Sequence, residues 1–315
     1  MKNIKRIYET FAGLTLLLFL SILLFACNTD KNGSQEGNSN KKIGVLLVNH
    51  GSHSETWRNA LLALEDSVRQ QILSNKNIIS IKTAFMEYTE PSIATRLKDF
   101  DKENYTDIII VPVFLTVSSH SFDDIPTIIG QKDDKHSAES LKIEKIERYT
   151  PKAKVHITPL LDFTDVLQKN VTNRVKELIE DKGNEALVMI AYGDKTYNKE
   201  WSALLDTVGN YVEKTTGIKE YTYGWCGHVA HYNPDSTTVA INNALKNKEK
   251  AIVIPILVAH DEMFQVKIIG DGIAKVSDSK DRVTYKPDSI LPDKNVQDWV
   301  INITNQYVNK INAGI

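Results

Sequence analysis

The feature that most constrains the fold is an order of strands and helices that occurs twice along the chain. The apolar run IGVLLVNHGS has its counterpart in EALVMIAYGD, and DIIIVPVFLTVSSH has its counterpart in AIVIPILVAHDEM, with Pro255 at the position of Pro112. The stretches EYTYGWCGH and PDSTTVAINNAL match the second strand and its helix. Because neighbouring parallel strands need crossover helices, this alternation predicts an α/β fold with two similar doubly wound parallel-sheet halves that face a central cleft.

The repeat also sets the expected division of the chain. Residues 42–150 are expected to form the first half and residues 151–315 the second half. The stretch VQDWVINITNQYV near the end is amphipathic, which predicts a closing helix on the second half. A chain of 315 residues is long enough for two packed halves.

The first 26 residues differ in composition from the rest of the chain. Basic residues precede the apolar run LTLLLFLSILLFAC, which is short for a membrane span but has the length of a signal-peptide core. The run ends in LFAC, which resembles the lipobox of bacterial lipoproteins and implies cleavage before Cys27 and lipidation of its thiol. An uncleaved anchor helix and an ordinary signal peptide are the alternatives. Residues 27–41 predict a flexible tether, so we expect an extracytoplasmic protein that is lipid-anchored to a bacterial membrane.

Charge and composition exclude several classes of partner. The 38 basic and 40 acidic residues are interspersed and give a net charge of −2, so no basic stripe is available for nucleic acid. No Gly-x-Gly-x-x-Gly follows the first strand and no phosphate-binding loop with a lysine occurs, which argues against a nucleotide. If Cys27 is lipidated, Cys226 has no intrachain partner and no disulfide stabilises the protein. The pattern leaves the oligomeric state open.

Three side chains with metal-binding chemistry stand at the ends of the three strands predicted in the first half. His50 ends the first strand, Glu87 the second and His120 the third. Because ligands of open α/β sheets bind at the carboxyl ends of the strands, we expect these side chains to meet at one rim. Two imidazoles and a carboxylate suit a divalent transition metal and leave coordination positions open. Taken singly, each residue has a simpler alternative, a hydrogen-bonded loop histidine or a solvated carboxylate.

The segments around these residues resemble the sirohydrochlorin cobaltochelatase family, the small class II chelatases of tetrapyrrole metabolism. LLVNHGSHSETWRNAL, AFMEYTEPSI and VPVFLTVSSHSFDDIP are similar to its three motifs, and the third is the most specific. The resemblance is good over residues 43–130 and weaker, in strand order and the Val-Ile-Pro segment, over residues 186–275. One departure is Ser118-Ser119, where family members often carry a glycine before the histidine. This departure affects the expected shape of the loop but not the ligand.

The resemblance implies a function for the three side chains. His50 and His120 would hold the incoming metal, and Glu87 would assist metal entry or remove protons from the pyrrole nitrogens. The implied reaction inserts Co²⁺, or alternatively Fe²⁺ or Ni²⁺, into a sirohydrochlorin-type tetrapyrrole of cobalamin or siroheme metabolism, without a nucleotide. Neutral imidazole can hold the metal first and accept a proton afterwards. The cleft between the halves would supply the large apolar wall that a flat ligand requires.

The second half does not keep the ligand set. Tyr192 replaces the first histidine and Met263 falls where the second is expected, so we expect only the first half to bind the metal. Candidates to bind the tetrapyrrole lie near strand ends, with solvated cations and ordinary loop histidines as the alternatives; they are Arg58, Lys195, His228 and His260. Asp123 and Asp124 either lead cations to the site or, as the plainer interpretation, cap the helix that begins near Pro126.

A protein without turnover is the competing hypothesis. A lipid-anchored, extracytoplasmic protein with two α/β lobes is also suited to bind a tetrapyrrole or a metal on a chelatase scaffold. The export signal favours this carrier, because tetrapyrrole synthesis is normally cytoplasmic. The complete set of His50, Glu87 and His120 favours the enzyme, because a carrier has no need of a carboxylate that accepts protons.

Overall fold

The computed structural model describes residues 41–315. The predicted signal peptide (1–26), the predicted tether apart from its last residue, and Cys27 lie outside the described residues. Within residues 41–315, no helix combines the length and the apolar content that a membrane crossing requires.

The described strands form two parallel sheets of four strands each. The first sheet has the order β2-β1-β3-β4, and its strands are β1 Ile43–Asn49, β2 Ile78–Phe85, β3 Asp107–Pro112 and β4 Lys154–Ile157. The second sheet has the order β6-β5-β7-β8, and its strands are β5 Glu185–Ala191, β6 Tyr221–Trp225, β7 Lys250–Ile256 and β8 Val283–Tyr285. The two orders are equivalent, as expected for a repeat. The predicted α/β fold with two doubly wound parallel halves is confirmed.

Helices connect these strands and cover both faces of each sheet. The α-helices are α1 Glu55–Leu73, α2 Ile93–Lys102, α3 Ile125–Ile128, α4 Lys135–Ile143, α5 Val166–Leu178, α6 Asn198–Thr216, α7 Asp235–Ala244, α8 Gly270–Ala274, α9 Ser279–Arg282 and α10 Lys294–Ala313. Two π-helical turns, Ser119–Asp124 and Met263–Ile269, follow β3 and β7, and short 3₁₀ turns occupy Leu161–Phe163 and His228–Ala230.

The two halves share one layer of helices. Residues of α1, α5, α6 and α10 form a single apolar cluster with the inward faces of both sheets. Along β1, Val45 and Leu47 belong to this shared cluster, whereas Leu46 and Val48 face an outer cluster of the first half. Both faces of the strand are therefore buried, which explains why its sequence is a continuous apolar run and does not alternate between apolar and polar residues.

The chain does not divide between the halves as the sequence suggested. β4 pairs with β3 in the first sheet although it lies beyond residue 150, where the expected boundary stood. Its four residues are only partly buried or exposed, so the segment carries no continuous apolar run that would have indicated a strand. The first sheet therefore takes more of the chain than residues 42–150.

The expected position of the closing helix is wrong. α10 packs against α1 and β3 of the first half, and Asn75 Nδ2 donates a hydrogen bond to Asn305 Oδ1 at 2.8 Å. The physical reason is that α5, which follows β4, packs instead on α6 and β7 of the second half. The inward face of the first sheet then needs a cover, and α10 provides it with Val296, Trp299 and Val300.

Candidate metal centre

His50, Glu87 and His120 lie together at the carboxyl ends of three neighbouring strands. One ligand atom from each residue can be chosen such that all three atoms lie within 4.8 Å of one another. The two imidazole rings meet edge to face, with their centroids 4.6 Å apart and their planes at 79°. Glu87 is buried and its Oε1 lies 3.8 Å from Nδ1 of His120. Donor atoms at this spacing can close on a single transition metal after small rotations of the side chains.

The backbone fixes His50 and Glu87 beside each other. The N–H of Glu87 donates to the carbonyl of His50 at 2.8 Å, which continues the pairing of β1 and β2 beyond the strands. Gly51 follows with a φ of +103°, and a Cβ at this residue would lie 2.1 Å from the carbonyl oxygen of Glu87. Only glycine allows this close turn, so the residue after the first histidine is part of the geometry of the site.

Asp124 orients the second histidine. The two residues are one turn apart, and Nδ1 of His120 donates to Oδ2 of Asp124 at 2.9 Å. This contact places the proton of the neutral ring on Nδ1 and leaves Nε2 with its lone pair. Asp124 stands at the N-cap position of α3, but its side chain makes no capping hydrogen bond, so the expected capping by an aspartate side chain is wrong. Asp123 pairs with Lys132 and accepts a hydrogen bond from Tyr197 at 2.8 Å. The spacing of four residues between His120 and Asp124 was the sequence signal for this contact.

The two imidazoles differ electrostatically. Burial lowers the pKa of His50, and the neighbouring His120 lowers it further, so this ring is neutral at neutral pH. Burial also disfavours protonation of His120, but its hydrogen bond to Asp124 and the charge of Glu87 outweigh that effect and raise its pKa. The Nδ1 of His50 contacts the carbonyl oxygen of Gly51 at 3.0 Å, which likewise leaves its Nε2 free. The site therefore holds one purely neutral ligand and one ligand that protonates more easily.

A cavity of about 560 Å³ opens between the two halves beside this centre. Its floor and walls include two tryptophans and matching apolar segments from each half, namely Trp57, Trp201, 113–115 and 257–259. Within the described part of the chain, no lysine or arginine lines this cavity. A large, mostly apolar cleft with a few polar groups is typical of a binding site for a small molecule.

One of the four candidates for binding the tetrapyrrole lines the cavity. This residue is His228. Arg58 donates from Nη1 to two carbonyl groups of the loop after β1, at 2.8 Å each, and so braces that loop. His260 uses its Nδ1 to bond the carbonyl of Pro287 at 2.8 Å, and Lys195 is exposed outside the lining. Position near a strand end alone did not distinguish the residue that faces the cleft from those that face away.

The second half keeps the geometry of the first half but not its chemistry. The N–H of Gly227 donates to the carbonyl of Tyr192 at 3.0 Å, the same contact that joins Glu87 to His50. Tyr192 therefore stands at the position of His50, as expected, and glycine stands at the position of Glu87. A Cβ at Gly227 would lie 2.8 Å from the Tyr192 ring, so the tyrosine occupies the space that a longer side chain would need.

Phe264, and not Met263, takes the position of the second histidine. Pro112 and Pro255 are equivalent, because they pair with equivalent residues of β1 and β5. The π-helical turn begins seven residues after the first proline and eight residues after the second, so the sequence alignment was displaced by one residue. Phe264 contacts Tyr192 with ring centroids 5.4 Å apart, which matches the contact between the two histidines.

Reciprocal hydrogen bonds hold the site loops of the two halves together. Ser52, after β1, donates to Asp261, after β7, at 2.9 Å. Ser119, after β3, donates from its hydroxyl to Asp194, after β5, at 3.0 Å, and its N–H contacts the same oxygen at 3.3 Å. Because Ser119 precedes His120 in the same turn, the second half positions a ligand of the first.

Comparison with known proteins identifies the same part of the chain. Residues 44–178 match the family model CbiX. A sirohydrochlorin cobaltochelatase of Methanococcoides burtonii is 36% identical over 89 residues, which are 28% of this chain and 65% of that protein, just under two thirds of its length. A sirohydrochlorin cobaltochelatase of Methanopyrus kandleri is 26% identical over 148 residues, which are 46% of this chain and 97% of that protein.

The fold as a whole is similar to a chelatase of known structure. The sirohydrochlorin chelatase SirB from Bacillus subtilis subspecies spizizenii, solved in complex with cobalt, superposes with a TM-score of 0.59 at 16% identity, over 85% of this chain and 96% of that chain. This likeness covers both halves and shows the fold, whereas the family model matches residues 44–178, which include His50, Glu87 and His120. The resemblance seen in the three motifs is confirmed: residues 44–178 are similar to the CbiX family, and the relatives found are sirohydrochlorin cobaltochelatases.

Proposed function

We propose that this protein is a chelatase that inserts a divalent metal into a sirohydrochlorin-type tetrapyrrole without a nucleotide, and that Co²⁺ is its main metal substrate. The observation that carries the proposal is the convergence of His50, Glu87 and His120 within coordination reach at the edge of an apolar cavity. The substrate is inferred from the relatives that are named sirohydrochlorin cobaltochelatases. Fe²⁺ and Ni²⁺ are alternative substrates, because imidazole and carboxylate ligands also suit them.

The centre first has to hold a hydrated cation. Two neutral imidazoles supply nitrogen ligands, and the buried carboxylate of Glu87 offsets part of the charge of the ion. Asp124 and Glu87 both lie near Nδ1 of His120, so two carboxylates stand beside this imidazole. Three protein ligands leave positions open for the nitrogens of an incoming ring, which can replace the imidazoles one at a time.

The same groups then have to take up protons. Insertion breaks two pyrrole N–H bonds and forms four bonds between the metal and nitrogen, so two protons leave the ring. Once the metal has moved to the ring, the lone pairs of His50 and His120 are free to accept these protons. His120 is the better acceptor because its pKa is raised, and Glu87 lies close enough to pass a proton on. Exchange of ligands and transfer of protons account for the whole reaction, so it needs no nucleotide.

A turnover assay tests the proposal. Sirohydrochlorin and Co²⁺ are mixed with a catalytic amount of protein, and the absorbance of the ring is followed; Fe²⁺ and Ni²⁺ are compared in parallel. We expect many turnovers from the wild type, a loss of at least about a hundredfold in His50→Ala, and wild-type activity in His260→Ala, whose imidazole lies outside the cavity lining. A spectral change that stops at one equivalent of ring per protein would instead indicate a carrier without turnover, which the predicted export signal favours.

We further propose that the protein acts outside the cytoplasm, lipid-anchored to a bacterial membrane through Cys27. The support is the basic and apolar N-terminal sequence that ends in LFAC. We expect the wild type to fractionate with membranes and to incorporate labelled fatty acid. Cys27→Ser should abolish the incorporation, and equal labelling of both proteins would contradict the anchor.

A further inference from the structure

The position that matches the metal centre in the second half is built from aromatic rings. Tyr192 packs edge to face against Phe264 and His228, with centroids 5.4 Å apart in each case. Tyr232 joins the group at 5.2 Å from His228 and 6.3 Å from Phe264. All four rings line the cavity that the metal centre borders. We call Tyr192, His228, Tyr232 and Phe264 the aromatic wall.

The aromatic wall is polar at its hydroxyl groups but carries no anion. The hydroxyl groups of Tyr192 and Tyr232 are 3.1 Å apart, and that of Tyr232 lies 3.0 Å from Nδ1 of His228. Burial raises the pKa of Tyr192 far above its ordinary value, and the bond to Tyr232 adds to this, so the phenol stays neutral. A neutral phenol is a poor ligand for a divalent cation. Neither of the two phenols therefore competes with the first half for the metal.

The backbone keeps two tyrosines exposed at the cavity. Tyr232 has a φ of +58° and its side chain is 39% exposed, and Tyr88 of the first half has a φ of +65° and is 57% exposed. A non-glycine residue in this left-handed region costs roughly 1 kcal/mol or more, and such strain is concentrated at functional sites. Large aromatic side chains that stay exposed to solvent although their backbone conformation is strained are suited to contact a ligand.

We propose that the aromatic wall binds the flat conjugated face of the tetrapyrrole and so presents the centre of the ring to His50, Glu87 and His120 on the first half. This inference rests on the proposed function and assigns a separate task to the second half. Since no lysine or arginine among the described residues lines the cavity, ion pairs with these cations do not hold the ring there, and stacking and apolar contact contribute to its affinity. The carboxylate arms of the ring then point to solvent at the mouth of the cavity.

Separate titrations of the purified full-length protein test this assignment. Metal-free sirohydrochlorin is titrated by quenching of its fluorescence, and Co²⁺ is titrated alone. Because Tyr232 is partly exposed and lies outside the buried core, its truncation is expected to cost little stability. We expect Tyr232→Ala to raise the dissociation constant of the tetrapyrrole by about tenfold or more, the loss of one good stacking contact, while that of Co²⁺ changes by less than about twofold. Tyr232→Phe keeps the ring and should bind the tetrapyrrole within about twofold of the wild type.

Tyr211→Ala is the matched control, because Tyr211 is a partly buried tyrosine of α6 outside the cavity lining. The inference is overturned if Tyr232→Ala binds the tetrapyrrole as the wild type does. It is also overturned if Tyr232→Phe is as weak as Tyr232→Ala, since the hydroxyl group and not the ring would then make the contact. A wild type that binds no tetrapyrrole contradicts the proposed function itself, and the inference falls with it. The two failures are thus distinguishable.

Discussion

Replacement of Asp124 by asparagine tests how the site prepares His120 for a metal. The carboxylate of Asp124 is buried and accepts the proton of Nδ1 at 2.9 Å, so Nε2 of the ring carries the lone pair. In Asp124→Asn, the side-chain amide has the same shape but can donate to Nδ1. An amide that donates to Nδ1 holds the ring in the other tautomer, with its proton on Nε2, which blocks the nitrogen that should bind the metal.

The expected magnitude follows from the contact that is lost. A hydrogen bond between an imidazole and a buried carboxylate is worth about 1.5–3 kcal/mol, and loss of such a partner of a metal ligand typically lowers metal affinity by about 10–100-fold. We therefore expect the dissociation constant of Co²⁺ to rise by about 10–100-fold in Asp124→Asn. The pKa of His120 should fall at the same time, because Asp124 raises it in the wild type.

Isothermal titration with Co²⁺ measures the affinity, and NMR titration of the metal-free protein measures the pKa of His120. Asp123→Asn is the matched control, because this neighbouring carboxylate bonds Lys132 and Tyr197 and not the histidine. The control should bind Co²⁺ within about threefold of the wild type, as expected for a group outside the ligand network. The reasoning is refuted if the two variants bind Co²⁺ equally, or if the change at Asp124 leaves the affinity unaltered.

Three further results are expected. The affinity for Co²⁺ should be highest above the pKa of His120, which is raised, and should fall by about tenfold per pH unit below it, because the metal must displace one proton. Titration calorimetry at about six pH values measures this dependence, and an affinity that is constant between about pH 8 and pH 5 would contradict it. Gly51→Ala should lower the free energy of unfolding in urea by at least about 2 kcal/mol, because its Cβ would meet the Glu87 carbonyl; a fully stable variant would contradict the close turn. Asp194→Ala should lower the same free energy by about 1–2 kcal/mol or more through the loss of its contacts with Ser119 and with the N–H groups of Thr196 and Tyr197, and unchanged denaturation curves would contradict these contacts.

The fold and the metal centre were accessible from the sequence because both depend on local patterns. Continuous apolar runs identify strands that are buried on both faces, and the end of a parallel strand is a fixed place in the fold. His50, Glu87 and His120 could therefore be placed at one rim without coordinates, and the structure brings their ligand atoms within 4.8 Å. Crossover rules for parallel strands supplied the rest of the topology.

What the sequence could not show depends on contacts between distant segments. The amphipathic pattern of α10 indicates a helix with one apolar face but not which sheet that face covers, and α10 covers the first sheet. One extra residue before the second π-helical turn shifts Phe264 into the place expected for Met263, and no local sequence pattern indicates this insertion. The aromatic wall becomes visible only when Tyr192, Tyr232 and Phe264 are brought together from three separate loops.

The central claim is that His50 and His120 bind one metal ion at the same time. Cobalt K-edge X-ray absorption of the Co²⁺-loaded protein measures it most directly, because scattering from imidazole rings gives the number of histidines per metal. We expect two histidines per cobalt in the wild type and in His260→Ala, and one in each of His50→Ala and His120→Ala. A wild-type spectrum with one histidine or none, or a count that is unchanged when either His50 or His120 is removed, would contradict it.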